Sequence, residues 1–164
     1  KEEYEYIELY NITGQEVQLY DLEGNPWKIT DGIDFTFPPS TVIPPHGYML
    51  VVKNPAAFAW RAGSNWPAVP QNVQVLGPFD GQLSNGGEKI EFSMPGDVDE
   101  YGTRFYISVD RITYSDGSHP VGDDPWPTAA DGAGKSLSRI VPADYGNDVV
   151  NFKAANPSPG SQNP

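Results

Sequence analysis

The sequence predicts a single all-β sandwich domain with one short helix, and three observations support this prediction. First, apolar residues recur at every second position in many short segments, which is the period of a strand with one buried face. Second, Gly and Pro each occur 17 times among 164 residues, more than long helices accommodate. Third, hydrophobic residues make up 38% and aromatic residues 12% of the chain, enough to close a core.

The first third of the chain is predicted to form short strands separated by close turns. Residues 4–10, 17–20, 27–29 and 35–37 each carry strand-forming residues bounded by Gly, Asp, Asn or Pro. Residues 48–52 are continuously apolar, which is typical of a strand covered on both faces. We therefore expect this strand to be central.

One helix is predicted near residues 55–62. Asn54 can cap its first turn, and Pro55 suits the first helical position because proline has no N–H to satisfy there. Helix formers follow up to Ala62, and Gly63 is expected to end the helix.

The remaining strands are predicted at residues 73–76, 90–92, 105–109, 112–114 and 136–141. An Asn-Gly-Gly turn precedes the second of these, and the polar residues 94–103 are expected to form the irregular tip of a hairpin. A long loop covers residues 116–134. We expect the domain to span 1–155 and residues 156–164, rich in Pro, Ser, Gly and Asn, to be a tail or linker.

The charge and hydropathy of the chain limit its partners. The formal net charge of −12, with no basic cluster, disfavours nucleic acid. No apolar run approaches twenty residues, so membrane insertion is not expected. His46 and His119 are the only histidines, Cys is absent and no Gly-x-Ser-x-Gly segment occurs, so neither a zinc centre nor a serine nucleophile is predicted. We expect no enzymatic activity and no cofactor.

Two sets of residues are weak candidates for binding sites. Four carboxylates of the long loop could form an oxygen cage for Ca²⁺, although solvated charge with Asx-turn capping is the favoured explanation; they are Asp116, Asp123, Asp124 and Asp131. Trp27, Trp60, Trp66 and Trp126 are first expected to be buried, because Trp has the largest apolar surface. Trp66, between Asn65 and Pro67, is expected to be the most exposed and is the candidate sugar platform. Trp126 is expected to anchor its loop, largely buried and with its indole N–H donated to a backbone carbonyl.

Several segments, in order along nearly the whole chain, carry a family resemblance. They are residues 7–11, 17–19, 35–38, 43–48, 54–58, 83–90, 124–132 followed by Ser136-Leu137, and 156–160. Together they resemble the lamin-tail domain in its bacterial form; the segments 83–90 and 124–137 are the most specific. The chain departs from the family in a longer hairpin near residues 94–104.

This resemblance implies an immunoglobulin-like, Greek-key β-sandwich and a non-catalytic role. Bacterial members look like accessory domains of exported proteins. The implied function is therefore an extracellular or cell-surface domain that contacts a protein or a surface polysaccharide, or that acts as a spacer. The alternatives are a carbohydrate-binding module and, less favoured, a calcium-stabilised adhesion domain. The family offers no catalytic motif to transfer, and the DNA-associated role of nuclear lamins does not suit a chain of charge −12.

Overall fold

The computed structural model describes residues 2–62, 64–119 and 124–164. These residues form a mostly β structure with one α-helix, α1 (Pro55–Arg61), and three single-turn 3₁₀ helices, Glu2–Tyr4, Thr128–Ala130 and Val149–Asn151. The strands are β1 (Tyr6–Tyr10), β2 (Val17–Gln18), β3 (Lys28–Asp31), β4 (Ile33–Thr36), β5 (Val42–Ile43), β6 (Tyr48–Val52), β7 (Gln74–Leu76), β8 (Asp80–Gly81), β9 (Gly87–Val98), β10 (Arg104–Ser115), β11 (Ser136–Arg139) and β12 (Phe152–Ala155). The predicted all-β class is confirmed at this level.

The strands form two main sheets. The first has the order β1-β6-β7, with β6 antiparallel to β1 and parallel to β7. The second is fully antiparallel and has the order β10-β9-β3-β4-β8. Two short ribbons, β11-β12 and β2-β5, complete the structure of the described residues. β10 therefore lies at an edge of the larger sheet.

Strand β6 is buried on both faces, as its continuous apolar sequence predicts. Met49 and Val51 join the main core with residues of the larger sheet, while Leu50 and Val52 pack with Phe58 of α1. The main core consists of Leu19, Ile29, Ile33, Phe37, Ile43, Met49, Val51 and Phe79. Because side chains alternate across a strand, one five-residue segment links both hydrophobic clusters.

Helix α1 has the predicted N-terminus. The Asn54 side-chain oxygen accepts hydrogen bonds from the N–H groups of Ala56 and Ala57, both at 3.1 Å. These two donors have no partner inside the helix, so the cap satisfies them. The helix ends at Arg61, and the predicted terminator Gly63 lies outside the described residues.

The β9–β10 hairpin differs from the sequence prediction. Each of its strands is twelve residues long, so much of the segment 94–103 is paired strand, not irregular tip. Only residues 99–103 form the turn, where the Asp99 side chain accepts hydrogen bonds from the N–H groups of Tyr101 and Thr103. The sequence did not predict strand here because the segment contains Pro95, Gly96 and Asp97, and all three residue types are depleted in strands.

The C-terminal segment, expected to be a tail or linker, packs on the domain over residues 157–160. Pro157, Pro159 and Gly160 are buried, and the Gly160 N–H donates to the Glu8 carboxylate at 2.7 Å. Gly160 has a φ of +77°, and a Cβ there would lie 3.0 Å from atoms of Pro70 and Val73. Glycine is therefore required both by the backbone conformation and by the close approach.

No described helix is long and apolar enough to cross a membrane.

Candidate functional site

The structure brings two of the four loop carboxylates together with a histidine. Ligand atoms of Asp116, His119 and Asp124 all lie within 4.8 Å of one another, and His119 Nδ1 lies 3.1 Å from Asp116 Oδ1. Asp131 does not join this group; its backbone N–H caps the single turn at Thr128. Asp123, the fourth predicted residue, lies outside the described residues.

The carboxylates of this group already accept hydrogen bonds from their own loop. Asp116 accepts from Ser118 N–H at 2.8 Å, and these hydrogen bonds with Ser118 lower the pKa of Asp116. Asp124 accepts from the Ser115 hydroxyl and from Trp126 N–H at 3.1 Å. The Ser115 hydrogen bond is the main cause that lowers the pKa of Asp124. Hydrogen-bond donors of the loop thus stabilise both carboxylates in their charged form, as a bound cation would also do.

We expect chelation to leave the stability of the domain nearly unchanged. A cation that bound only the folded state would stabilise it by mass action, and its removal would lower the melting temperature. Thermal unfolding is to be compared in buffer with EDTA, with CaCl₂ and with ZnCl₂. A shift within about two degrees is the expected result, whereas a drop of about ten degrees in EDTA would indicate a structural cation site.

The tryptophans do not form a common exposed face. Trp27 packs on Phe92, with ring centroids 5.1 Å apart, and Trp126 packs on Phe152 at 5.4 Å. Trp126 is only partly buried, and its indole N–H donates to no described carbonyl, in contrast to the buried, hydrogen-bonded anchor expected from the sequence.

Trp60, not Trp66, is the most exposed tryptophan. Trp66 packs beside Tyr6 and Phe58 in the second hydrophobic cluster, at centroid distances of 5.8 and 5.9 Å. Trp60 is 60% exposed and stacks on Tyr4 at 6.3 Å with an interplanar angle of 27°. Because these two rings stack on each other, they do not form a flat two-ring platform.

Asn11, which begins the glycosylation acceptor sequence Asn-Ile-Thr, is buried and structural. Its Nδ2 donates to the carbonyl oxygens of Gln15 (2.7 Å), Pro44 (2.9 Å) and Ile43 (3.2 Å). Its side-chain oxygen accepts from the backbone and hydroxyl of Thr13. The amide is fully used within the folded domain, so no glycan can be placed on it without breaking this network.

A group of exposed apolar side chains lies on the β9–β10 hairpin. Phe105, Ile107 and Val109 are each about half exposed, at 59%, 49% and 47%, on the edge strand β10. Val98 and Tyr101 extend this set towards the tip. We call these five residues the hairpin surface. The alternation of residues 105–109 signalled a strand, but alternation cannot show which strand lies at an edge with its apolar face uncovered.

A shallow recess lies beside the hairpin surface, between the tip end of the hairpin and the turn that contains Leu22. Its volume is about 470 Å³, and the lining residues are Asp21, Leu22, Glu23, Pro95, Gly96, Asp97, Val98, Arg104 and Ile107. We call it the hairpin recess. Leu22 is fully exposed at its rim.

Charge in the hairpin recess is unbalanced. Arg104 donates to the Gly96 carbonyl at 2.8 Å, and its guanidinium lies 3.8 Å from the Asp21 carboxylate and 3.5 Å from that of Glu23. Desolvation opposes the ionisation of Asp21, but hydrogen bonds from Asn25 and Glu23 and the charge of Arg104 together lower its pKa. Asp97 belongs to none of the ion pairs formed by the described residues. Three carboxylates therefore face one guanidinium.

Glu8 is the carboxyl group with the largest upward shift in pKa among the described residues. It lies on β1 beneath the C-terminal segment, and burial raises its pKa to about 7 against the opposing effect of the Gly160 hydrogen bond. Glu8 has a structural role, because its hydrogen bond with Gly160 connects β1 to the last buried residues of the chain.

No protein-family model matches the chain, and neither a similar curated protein nor a similar solved structure is found. The likeness to lamin-tail domains therefore rests on the sequence segments alone and remains a prediction.

Proposed function

We propose that this domain is a non-catalytic interaction module of an exported protein, with the immunoglobulin-like sandwich of bacterial lamin-tail domains. In this proposal it acts outside the cell or at the cell surface and contacts another protein. The observation that carries the proposal is the hairpin surface, where Val98, Tyr101, Phe105, Ile107 and Val109 expose apolar area on one projecting hairpin.

Clustering distinguishes this surface from ordinary exposed apolar residues. Single exposed hydrophobic side chains are common on monomeric proteins, but a contiguous set rimmed by polar groups marks interaction sites. The two strands that carry the set are paired along most of their length, so the surface is held on a rigid element. A preformed surface loses little conformational entropy on binding, which supports a docking role.

A photo-crosslinking experiment on intact producing cells tests this proposal. A photoreactive phenylalanine analogue is placed at Phe105 and, as a control, at Val75, which is 39% exposed on β7 of the other main sheet. We expect a discrete adduct from position 105 that excess unlabelled domain abolishes and that excess F105S/I107S domain does not. Equal labelling from both positions, or competition by the double variant, would show that the hairpin surface is not the contact.

A carbohydrate-binding module is the second candidate, and Trp60 stacked on Tyr4 is the observation that favours it. Indole rings exposed on one face can stack against sugar rings. If this candidate is right, the domain binds specific sugars on a glycan array, and W60A loses this binding. The control L22A, at a fully exposed residue far from the aromatic pair in sequence, retains it. Unchanged binding in W60A would exclude Trp60 as the platform.

A further inference from the structure

Resting on the interaction function above, we propose that the hairpin recess docks a cationic peptide segment in which Lys or Arg lies next to an apolar side chain. The recess combines an apolar wall with uncompensated carboxylates, and a partner of this composition satisfies both. The proposal goes beyond an interaction role because it fixes the location of the contact and the chemistry of the partner.

The charges of the recess favour a cation. Asp21, Glu23 and Asp97 line it together with a single basic residue, Arg104, which leaves two negative charges unmatched. Arg104 is also held by the Gly96 carbonyl, and its distances to Asp21 and Glu23 exceed those of a direct charged hydrogen bond. Asp21 already accepts hydrogen bonds from Glu23 N–H and from the backbone and side chain of Asn25. A Lys or Arg from a partner therefore meets Glu23 and Asp97, which still have free acceptor capacity.

The apolar wall favours a neighbouring hydrophobic side chain. Ile107 and Val98 line the recess and are each about half exposed, and Leu22 at the rim is fully exposed. Covering these side chains removes apolar area from water, which is the main favourable contribution to most protein association. A purely hydrophilic basic segment would leave this area exposed.

The shape of β10 determines how the partner binds. Its register with β9 shifts between Arg104 and Tyr106 and again between Ser108 and Asp110. Such bulges interrupt the regular row of backbone donors and acceptors that an added strand needs. Only residues 106–108 stay in register between them, so we infer that side-chain contacts in the recess, not a long backbone ladder, hold the peptide.

A second copy of the chain fits the recess poorly. Each copy carries a formal charge of −12 and has only 10 basic residues to distribute. Like charges brought together at an interface oppose association, whereas a basic segment is attracted. The partner is therefore assigned to a different protein.

The probe is a fluorescent hexapeptide that alternates lysine with leucine, and its binding is measured by fluorescence anisotropy. The buffer contains about 0.15 M salt, because interactions between charges more than about 8 Å apart are then largely screened. We expect E23Q/D97N to weaken binding at least tenfold. The matched control D144N/E16Q removes the same charge from exposed positions elsewhere and should weaken binding less than twofold. I107T should weaken binding at least fivefold, and V150T, at a 77% exposed valine, should not. Circular dichroism verifies that each variant is folded.

If the hexapeptide binds, three outcomes still overturn the proposal: equal weakening by the recess pair and the control pair, equal binding of a peptide with glutamate in place of lysine, or equal binding of a peptide with serine in place of leucine. The first would show diffuse electrostatic attraction, and the other two would remove the charge or the apolar requirement. If the hexapeptide fails to bind while position 105 still crosslinks a partner, this proposal is wrong and the interaction function stands. If crosslinking also fails, both are wrong.

Discussion

Replacing Asn11 with alanine should lower the free energy of unfolding by about 3 kcal/mol. The change deletes an amide that serves three backbone carbonyls and receives two hydrogen bonds from Thr13. The residue is 5% exposed, so water cannot readily replace the lost donor at the Ile43 and Pro44 carbonyls. A buried acceptor left without a partner costs about 1–3 kcal/mol. For a domain of this size, the melting temperature should fall by about 10 °C.

Two further variants make the Asn11 prediction specific. N72A removes an exposed asparagine and should leave the denaturation midpoint unchanged within experimental error. N11D keeps an acceptor for Thr13 but loses the amide donors and places a charge near carbonyl oxygens, so it should be at least as unstable as N11A. Urea denaturation followed by tryptophan fluorescence measures all three. If N11A unfolds at the parental midpoint, the network contributes nothing to stability.

The elements that were predicted correctly are those whose local sequence preference agrees with their tertiary contacts. The run 48–52 has the length of a strand and no polar position, and it is the strand with both faces covered. The start of α1 was equally clear, because the Asn54 cap and Pro55 are both determined by backbone geometry within one turn. These signals do not depend on distant residues.

Elements stabilised by distant partners were missed. Residues 94–98 contain Pro, Gly and Asp, and they form a strand because β10 pairs with them across the hairpin. The segment after β12 carries only Pro157, Pro159 and Gly160 as buried residues, and its docking depends on Glu8 and on the space left by Gly160. Tertiary contacts override local propensity in both places.

The same distinction applies to the candidate sites. The sequence placed Asp116 and Asp124 in one loop, but it gave no basis for separating Asp131 from them. Trp66 was expected in solvent because of its loop context, whereas Tyr6 and Phe58, far away in sequence, cover it. The hairpin recess joins residues near 21 with residues near 97 and 107, and no spacing rule connects such segments.

The domain should become less stable as the pH rises from about 4.5 to about 7, with Glu8 as a main cause. The pKa of Glu8 is about 7 in the folded state, against 4.5 as the ordinary value. Below pH 4.5 the carboxyl is protonated in both states and favours neither. Between the two values the unfolded chain ionises while the folded chain holds its proton, so ionisation pulls the equilibrium towards unfolding. The difference of about 2.5 pKa units corresponds to a decrease of up to about 3 kcal/mol in the free energy of unfolding, and this decrease is complete above about pH 7.

E8Q should remove this pH dependence. Glutamine keeps an oxygen that accepts from Gly160 N–H but has no proton to lose, so E8Q should be more stable than the parent at pH 8 and similar to it at pH 4. E16Q, at an exposed glutamate, is the matched control and should follow the parental pH profile. Urea denaturation at half-unit steps from pH 4 to pH 8 gives the free energy of unfolding of each protein. A parental profile for E8Q would mean that Glu8 is ionised in the folded domain and that its hydrogen bond to Gly160, not its burial, determines its pKa.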